Sequence, residues 1–203
     1  MPYNSDHFDL TTWKLTLPES SNSSKHGKAL EIKNLQQYEN SKYFYDASDG
    51  AMVFKANADS ATTVNSKYAR AELRELDNGT NASWSLKDGG TMTATLKVDA
   101  LPTYKDGSDG RIIVGQIHGK TDELIRLYYE NNTVYFKNDH AGANNREMRF
   151  DLTNAQGKHP DIALGEKFSY EITVSDGDHL TVKVLSDGQT FVSESTINKS
   201  WHN

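Results

Sequence analysis

Two short stretches of this 203-residue chain set chemically capable side chains at strand spacing. The first is Lys67–Leu76, KYARAELREL. Side chains alternate between the two faces of a strand. One face then carries Arg70, Glu72 and Arg74, and the other Ala69, Ala71, Leu73 and Glu75. The Ala71–Leu73 side suits a core. The opposite side presents two guanidinium groups with a carboxylate between them. Arginine suits planar, bidentate recognition of carboxylates, and Glu72 would hold the pair in place and limit its self-repulsion. The same pattern also reads as a solvated face laced with ion pairs.

The second stretch is Val114–Lys120, VGQIHGK. Along RIIVGQIHG the alternation gives one face with Ile112, Val114, Gln116 and His118, and another with Arg111, Ile113, Gly115 and Ile117. A neutral histidine can act as a base because it titrates near neutrality. The neighbouring amide can hold a carboxylate. The other reading is a core histidine with a satisfied hydrogen bond.

The elements that must position these residues are mostly strands. TMTATLKV puts Met92, Ala94, Leu96 and Val98 on one face. FSYEITVSDGDHLTVKVL reads as a hairpin turning at Asp176-Gly177-Asp178, with Tyr170, Ile172, Val174 and then Leu180, Val182, Val184 facing one way. ELIRLYYENNTVYFKN predicts two strands turning at Asn131-Asn132. NLQQYEN allows one or two helical turns, and residues 141–160 read as a long irregular loop of the kind that often carries function. Many short antiparallel strands without a linker predict one all-β domain, a β-sandwich or jelly roll.

The formal net charge of −6 argues against broad nucleic-acid binding. It leaves room for an anionic ligand at a local arginine cluster. No apolar run predicts a membrane span, and the first ten residues lack the pattern of a leader. With no cysteine, thiolate metal sites and disulfides are excluded. No histidine or aspartate spacing predicts a metal site, and neither a serine nucleophile elbow nor a phosphate-binding glycine loop is present.

Taken together and in this order, RAELR at Arg70–Arg74 and QIH at Gln116–His118 resemble the alginate lyases of the seventh polysaccharide-lyase family. FDLTTWKLTLP, Phe8–Pro18, looks like that family's first core strand. The resemblance implies a jelly-roll β-sandwich of two antiparallel sheets with a concave substrate cleft, lined by Arg70, Glu72, Arg74, Gln116 and His118. It implies cleavage of alginate, an anionic polysaccharide, by β-elimination to unsaturated uronate oligosaccharides. Arg70 and Gln116 would neutralise the uronate carboxylate, and His118 would take the proton from carbon five. Glu72 and Arg74 would bind substrate. No metal and no organic cofactor enters this scheme. Ile117 leans toward guluronate-containing or mixed blocks. The family also implies a secreted or periplasmic location.

The family's acid is a tyrosine in a C-terminal block, Tyr-Phe-Lys-x-Gly-x-Tyr-x-Gln. YFKND at Tyr135–Asp139 matches only its first three residues and follows QIH too closely. The expectation is therefore a single catalytic domain over residues 1–203 that lacks its last strands, completed by a further C-terminal segment of the same protein. The alternative is a non-catalytic, lectin-like alginate-binding sandwich.

Overall fold

The computed structural model describes residues 2–20, 29–119, 122–140 and 146–202. The chain divides into two compact units, Met1–Ser83 and Trp84–Asn203. Both are built from antiparallel strands, in keeping with the expected all-β class. Among the described residues no helix is long and apolar enough to cross a membrane.

The first unit opens with a single helical turn, α1 (Asn4–His7), followed by β1 (Trp13–Ser20), β2 (Ala29–Ile32), β3 (Phe44–Asp46), β4 (Met52–Phe54), β5 (Glu72–Asp77) and β6 (Thr80–Asn81). Its main sheet runs β2-β1-β5-β6, and β3 pairs with β4. Leu15, Leu17, Leu35 and Phe44 form its core. NLQQYEN makes a turn rather than a helix. Gln37 adopts a positive φ of 53° there, which a right-handed helix does not admit.

The second unit contains β7 (Gly90–Leu96), β8 (Ile112–His118), β9 (Glu123–Glu130), β10 (Thr133–Asn138), β11 (Met148–Asp151), β12 (Phe168–Ser175), β13 (His179–Ser186) and β14 (Gln189–Thr196). One sheet runs β11-β10-β9-β8 and the other β14-β13-β12-β7. Their facing sides share one core, which includes Ile125, Leu127, Tyr129, Val134 and Phe136 from the first sheet and Ile172, Val182 and Phe191 from the second. This is a β-sandwich, and the alternation in the sequence sets its inner faces. The turns follow side-chain chemistry. Asn131 and Asn132 take φ of 50° and 59°, and Asp176 and Gly177 take 54° and 81°. Asparagine, aspartate and glycine tolerate this left-handed region best. The irregular segment expected over residues 141–160 is interrupted by β11, whose Phe150 pairs with Phe136. Residues 141–145 of that segment lie outside the described residues.

Phe136 is fully buried and stacks on Phe150 with ring centroids 4.9 Å apart. Phe136→Ala should therefore cost about 3–5 kcal/mol of stability, read as a lower denaturant midpoint at unchanged slope.

Candidate functional site

In the first unit, β5 lies against β1 with Leu73 opposite Leu15, Glu72 opposite Thr16 and Arg74 opposite Lys14. Leu15 is fully buried and Leu73 packs on the same core. Glu72 and Arg74 consequently share the other face, as the alternation predicts. Arg70 precedes the strand. It reaches the same carboxylate through Nη1, 3.2 Å from Glu72 Oε2, and donates from Nη2 to Ser66 Oγ at 2.7 Å. These contacts aim a half-buried guanidinium, since Arg70 and Glu72 side chains are 27% and 29% exposed.

In the second unit, β8 does not keep the simple alternation. Ile112 pairs with Tyr129 and Ile113 with Tyr128, but Gly115 pairs with Leu127 and Gln116 with Arg126. Val114 is one residue too many, a β-bulge. Directly opposed residues in an antiparallel pair share a face. Tyr129, Leu127 and Ile125 face the core. Ile112, Gly115 and Ile117 do so too, whereas Ile113 and Gln116 look away. The bulge therefore reverses the parity of the strand halfway along. Ile112 and Val114 pack on the core, while Gln116 and His118 emerge on the opposite face. The sequence-based assignment of all four to one face is corrected by this single inserted residue, and the core-histidine reading falls with it.

Tyr170 of β12 holds the bulge from inside the core. Its hydroxyl donates to the carbonyl of Val114 at 2.9 Å. A Cβ on Gly115 would lie 2.7 Å from that hydroxyl and 2.9 Å from the ring. Glycine is thus required by close approach. Burial pushes the Tyr170 hydroxyl up to about 12, so it remains a donor throughout the neutral range.

A second register shift follows. Ile117 pairs with Ile125, but His118 pairs with Glu123. Leu124 joins Ile125 in the core, and Glu123 is left beside the imidazole, with Oε1 3.7 Å from Nε2. His118 Nδ1 lies 2.6 Å from the carbonyl of Gly119. A carbonyl only accepts, so Nδ1 carries the proton. In the neutral ring Nε2 then has the free lone pair, and a proton arriving there would face the Glu123 carboxylate. Neither bulge has a signature in the alternation, so Glu123 could be found only through the pairing of β8 with β9.

The face shared by Gln116 holds more than the sequence reading singled out. Gln116 is opposite Arg126, Arg126 opposite Lys137, and Lys137 opposite Arg149. One row across four strands thus reads amide, cation, cation, cation. The adjacent row is Ile113, Tyr128, Tyr135 and Asp151. Tyr128 and Tyr135 stack at 5.3 Å beneath cationic groups, with Arg111 over Tyr128 and Arg149 over Tyr135 at 5.0 and 3.8 Å. Among the described residues no group of three or more His, Cys, Asp or Glu side chains has a metal-holding arrangement.

Comparison with known proteins adds independent observations. A family model described as alginate lyase matches residues 8–203. A curated alginate lyase of Klebsiella pneumoniae is 33% identical over 93% of this chain and 75% of its own length. The crystal structure of an alginate lyase from Klebsiella pneumoniae superposes with a TM-score of 0.82 at 31% identity, covering 99% of this chain and 86% of that one. Alginate lyase A1-II′, a member of polysaccharide lyase family 7, superposes at 0.76 with 28% identity over 100% of this chain and 85% of that one. Structures of variants of that protein exist in complex with a product, GGG, and a substrate, GGMG.

The bulge makes a direct prediction. Gly115→Ala should lower both melting temperature and turnover, because the new methyl group must push Tyr170 or undo the bulge. Tyr170→Phe removes the nearest of the clashing atoms. The double variant should regain part of what Gly115→Ala lost, seen as a non-additive cycle in thermal melts.

Proposed function

The chain belongs to the alginate lyases of the seventh polysaccharide-lyase family, and on that premise we propose that it cleaves guluronate-containing or mixed alginate blocks by β-elimination, with Arg70, Gln116 and His118 as its catalytic residues. The observation that carries this reading is the bulge in β8. It delivers an amide and a histidine side by side on the face away from the core, with the lone pair of the neutral ring at Nε2. That is the equipment needed to hold a carboxylate and remove the proton beside it.

The proton on carbon five of a uronate is acidic only when the carboxylate is neutralised, because the departing proton leaves negative charge that spreads onto the carboxyl oxygens. Arg70 and Gln116 supply that neutralisation in this scheme, the kind of preorganised electrostatic help that dominates many enzymatic rates. His118 takes the proton at Nε2. The electron pair forms the double bond to carbon four as the glycosidic oxygen leaves, and the product is an unsaturated uronate. Glu72 holds the Arg70 guanidinium, and Arg74 beside it binds neighbouring sugar.

The leaving oxygen needs a proton. Tyr128 and Tyr135 share the face of Gln116, yet they are 4% and 1% exposed. The Tyr135 hydroxyl donates to Glu130 at 2.6 Å. Burial, then that hydrogen bond, pushes it up to about 12. Neither tyrosine is placed to reach a bound polymer. In this reading residues 1–203 act as one catalytic domain, the proton for the leaving oxygen comes from a group other than these two tyrosines, and the enzyme works outside the cell or in the periplasm, where its polymeric substrate lies. The Gln-x-His pair, rather than a bare anion-binding face, favours the lyase over a lectin-like binding module.

The test is growth of ultraviolet absorbance from the unsaturated product on guluronate, mannuronate and mixed blocks. His118→Ala should slow turnover by about 10²–10⁴-fold while leaving oligomer binding largely intact, and undiminished turnover would move the base elsewhere. Arg70→Ala should cost about 10²–10³-fold. Lys97→Ala, which removes a side chain paired with exposed Asp99, should be nearly silent. Equal losses from the two would point to diffuse attraction instead of a site.

A further inference from the structure

We propose that Arg126 and Lys137 form a carboxylate subsite for a sugar flanking the one held at Gln116, and that Glu147 occupies it as an internal stand-in which the polymer must displace. This rests on the reading of Gln116 given above. Arg126 and Lys137 are the next two members of the row that starts at Gln116. Each step across a sheet is about 4.8 Å. A chain of uronates lying along the row would bring its next carboxylates over these cations.

That position already holds a carboxylate. Glu147, one residue before β11, accepts from Lys137 Nζ through Oε2 at 2.7 Å and contacts Arg126 Nη2 through Oε1. One carboxyl group bridging two cations is the arrangement a substrate carboxylate would adopt. Partial burial pushes Glu147 up, but the hydrogen bond from Lys137 and the charge of Arg126 win and hold it below the usual carboxylate range. It is therefore an anion at neutral pH and a true competitor for another one.

The two acidic partners of Arg126 differ in how firmly they are placed. The Asp139 side chain is 2% exposed and lies 3.4 Å from Arg126 Nη2. Its carboxylate accepts from the His140 amide at 2.7 Å. Its backbone carbonyl accepts from Trp201 Nε1 at 2.6 Å. Glu147 is 35% exposed. Asp139 is thus the permanent counter-ion that keeps the guanidinium in position, and Glu147 the exchangeable one. Of the two carboxylates only Glu147 is open to solvent, so it is the one that an incoming carboxylate can replace while the cations keep an anionic partner. The charges agree as well. Arg126 and Lys137 face Asp139 and Glu147 and cancel. With Glu147 turned out, one positive charge remains, the amount that one uronate carboxylate neutralises.

Glu147→Gln keeps shape and removes the competing charge. With alginate as substrate, its KM should fall about two- to fivefold at unchanged kcat. Lys137→Gln should raise KM, and the double variant should lose the gain of Glu147→Gln. Calorimetric titration with a saturated uronate oligomer should show the same order of affinities, and this readout does not depend on turnover. Circular dichroism melts establish that each variant is folded, and Lys137→Gln interrogates the subsite from the other side. A KM and oligomer affinity of Glu147→Gln equal to or weaker than those of the parent overturns the stand-in, because Glu147 would then only support the cations. Unchanged oligomer affinity in Lys137→Gln overturns the subsite. If instead the parent binds oligomers with the expected order but releases no unsaturated product, the subsite stands and the lyase reading of this chain fails.

Discussion

One residue too many in β8 decides what this protein can present to a ligand. Without Val114 as a bulge, strand parity would carry Gln116 and His118 into the same core that Ile112 and Val114 fill. Burying an amide and an imidazole there would demand hydrogen bonds that an apolar core of Leu127, Tyr129 and Ile172 is poorly suited to give. With the bulge, the first half of the strand supplies core and the second half supplies chemistry. Tyr170 makes the arrangement specific. Its hydroxyl satisfies the bulged carbonyl, and the space over Gly115 leaves no room for a side chain. Bulges are common next to active sites because they re-aim a side chain at small cost to pairing.

The charge distribution follows a related economy. The chain is acidic overall, yet one face of the β8–β11 sheet carries Gln116 and a row of three cations. Each cation has an acidic partner close by, Asp139 and Glu147 for Arg126, Glu147 for Lys137 and Asp151 for Arg149. Pairing limits the mutual repulsion of these side chains, two of which, Lys137 and Arg149, lie over the rings of Tyr128 and Tyr135. It also conceals them from any count of net charge. In the first unit the same device appears once more, where Glu72 holds Arg70. In each unit one carboxylate that stays in place, Glu72 for Arg70 and Asp139 for Arg126, pre-positions a guanidinium, which reduces the ordering cost of binding an anion.

The sequence by itself determined the all-β class, the inner faces of β7, β12 and β13, the turns at Asn131-Asn132 and Asp176-Gly177, and the face shared by Glu72 and Arg74. These rest on local rules, alternation and turn chemistry, that act over a few residues. The family was legible too, because RAELR and QIH are short contiguous strings. Only the tertiary structure decided which way Gln116 and His118 look, since a bulge is defined by the partner strand and leaves the string of letters unchanged. The same holds for Glu123 beside His118 and for the row from Gln116 to Arg149. Those side chains lie as far apart as 33 positions in sequence and meet because hydrogen-bonded register aligns four strands, an alignment that no single strand encodes.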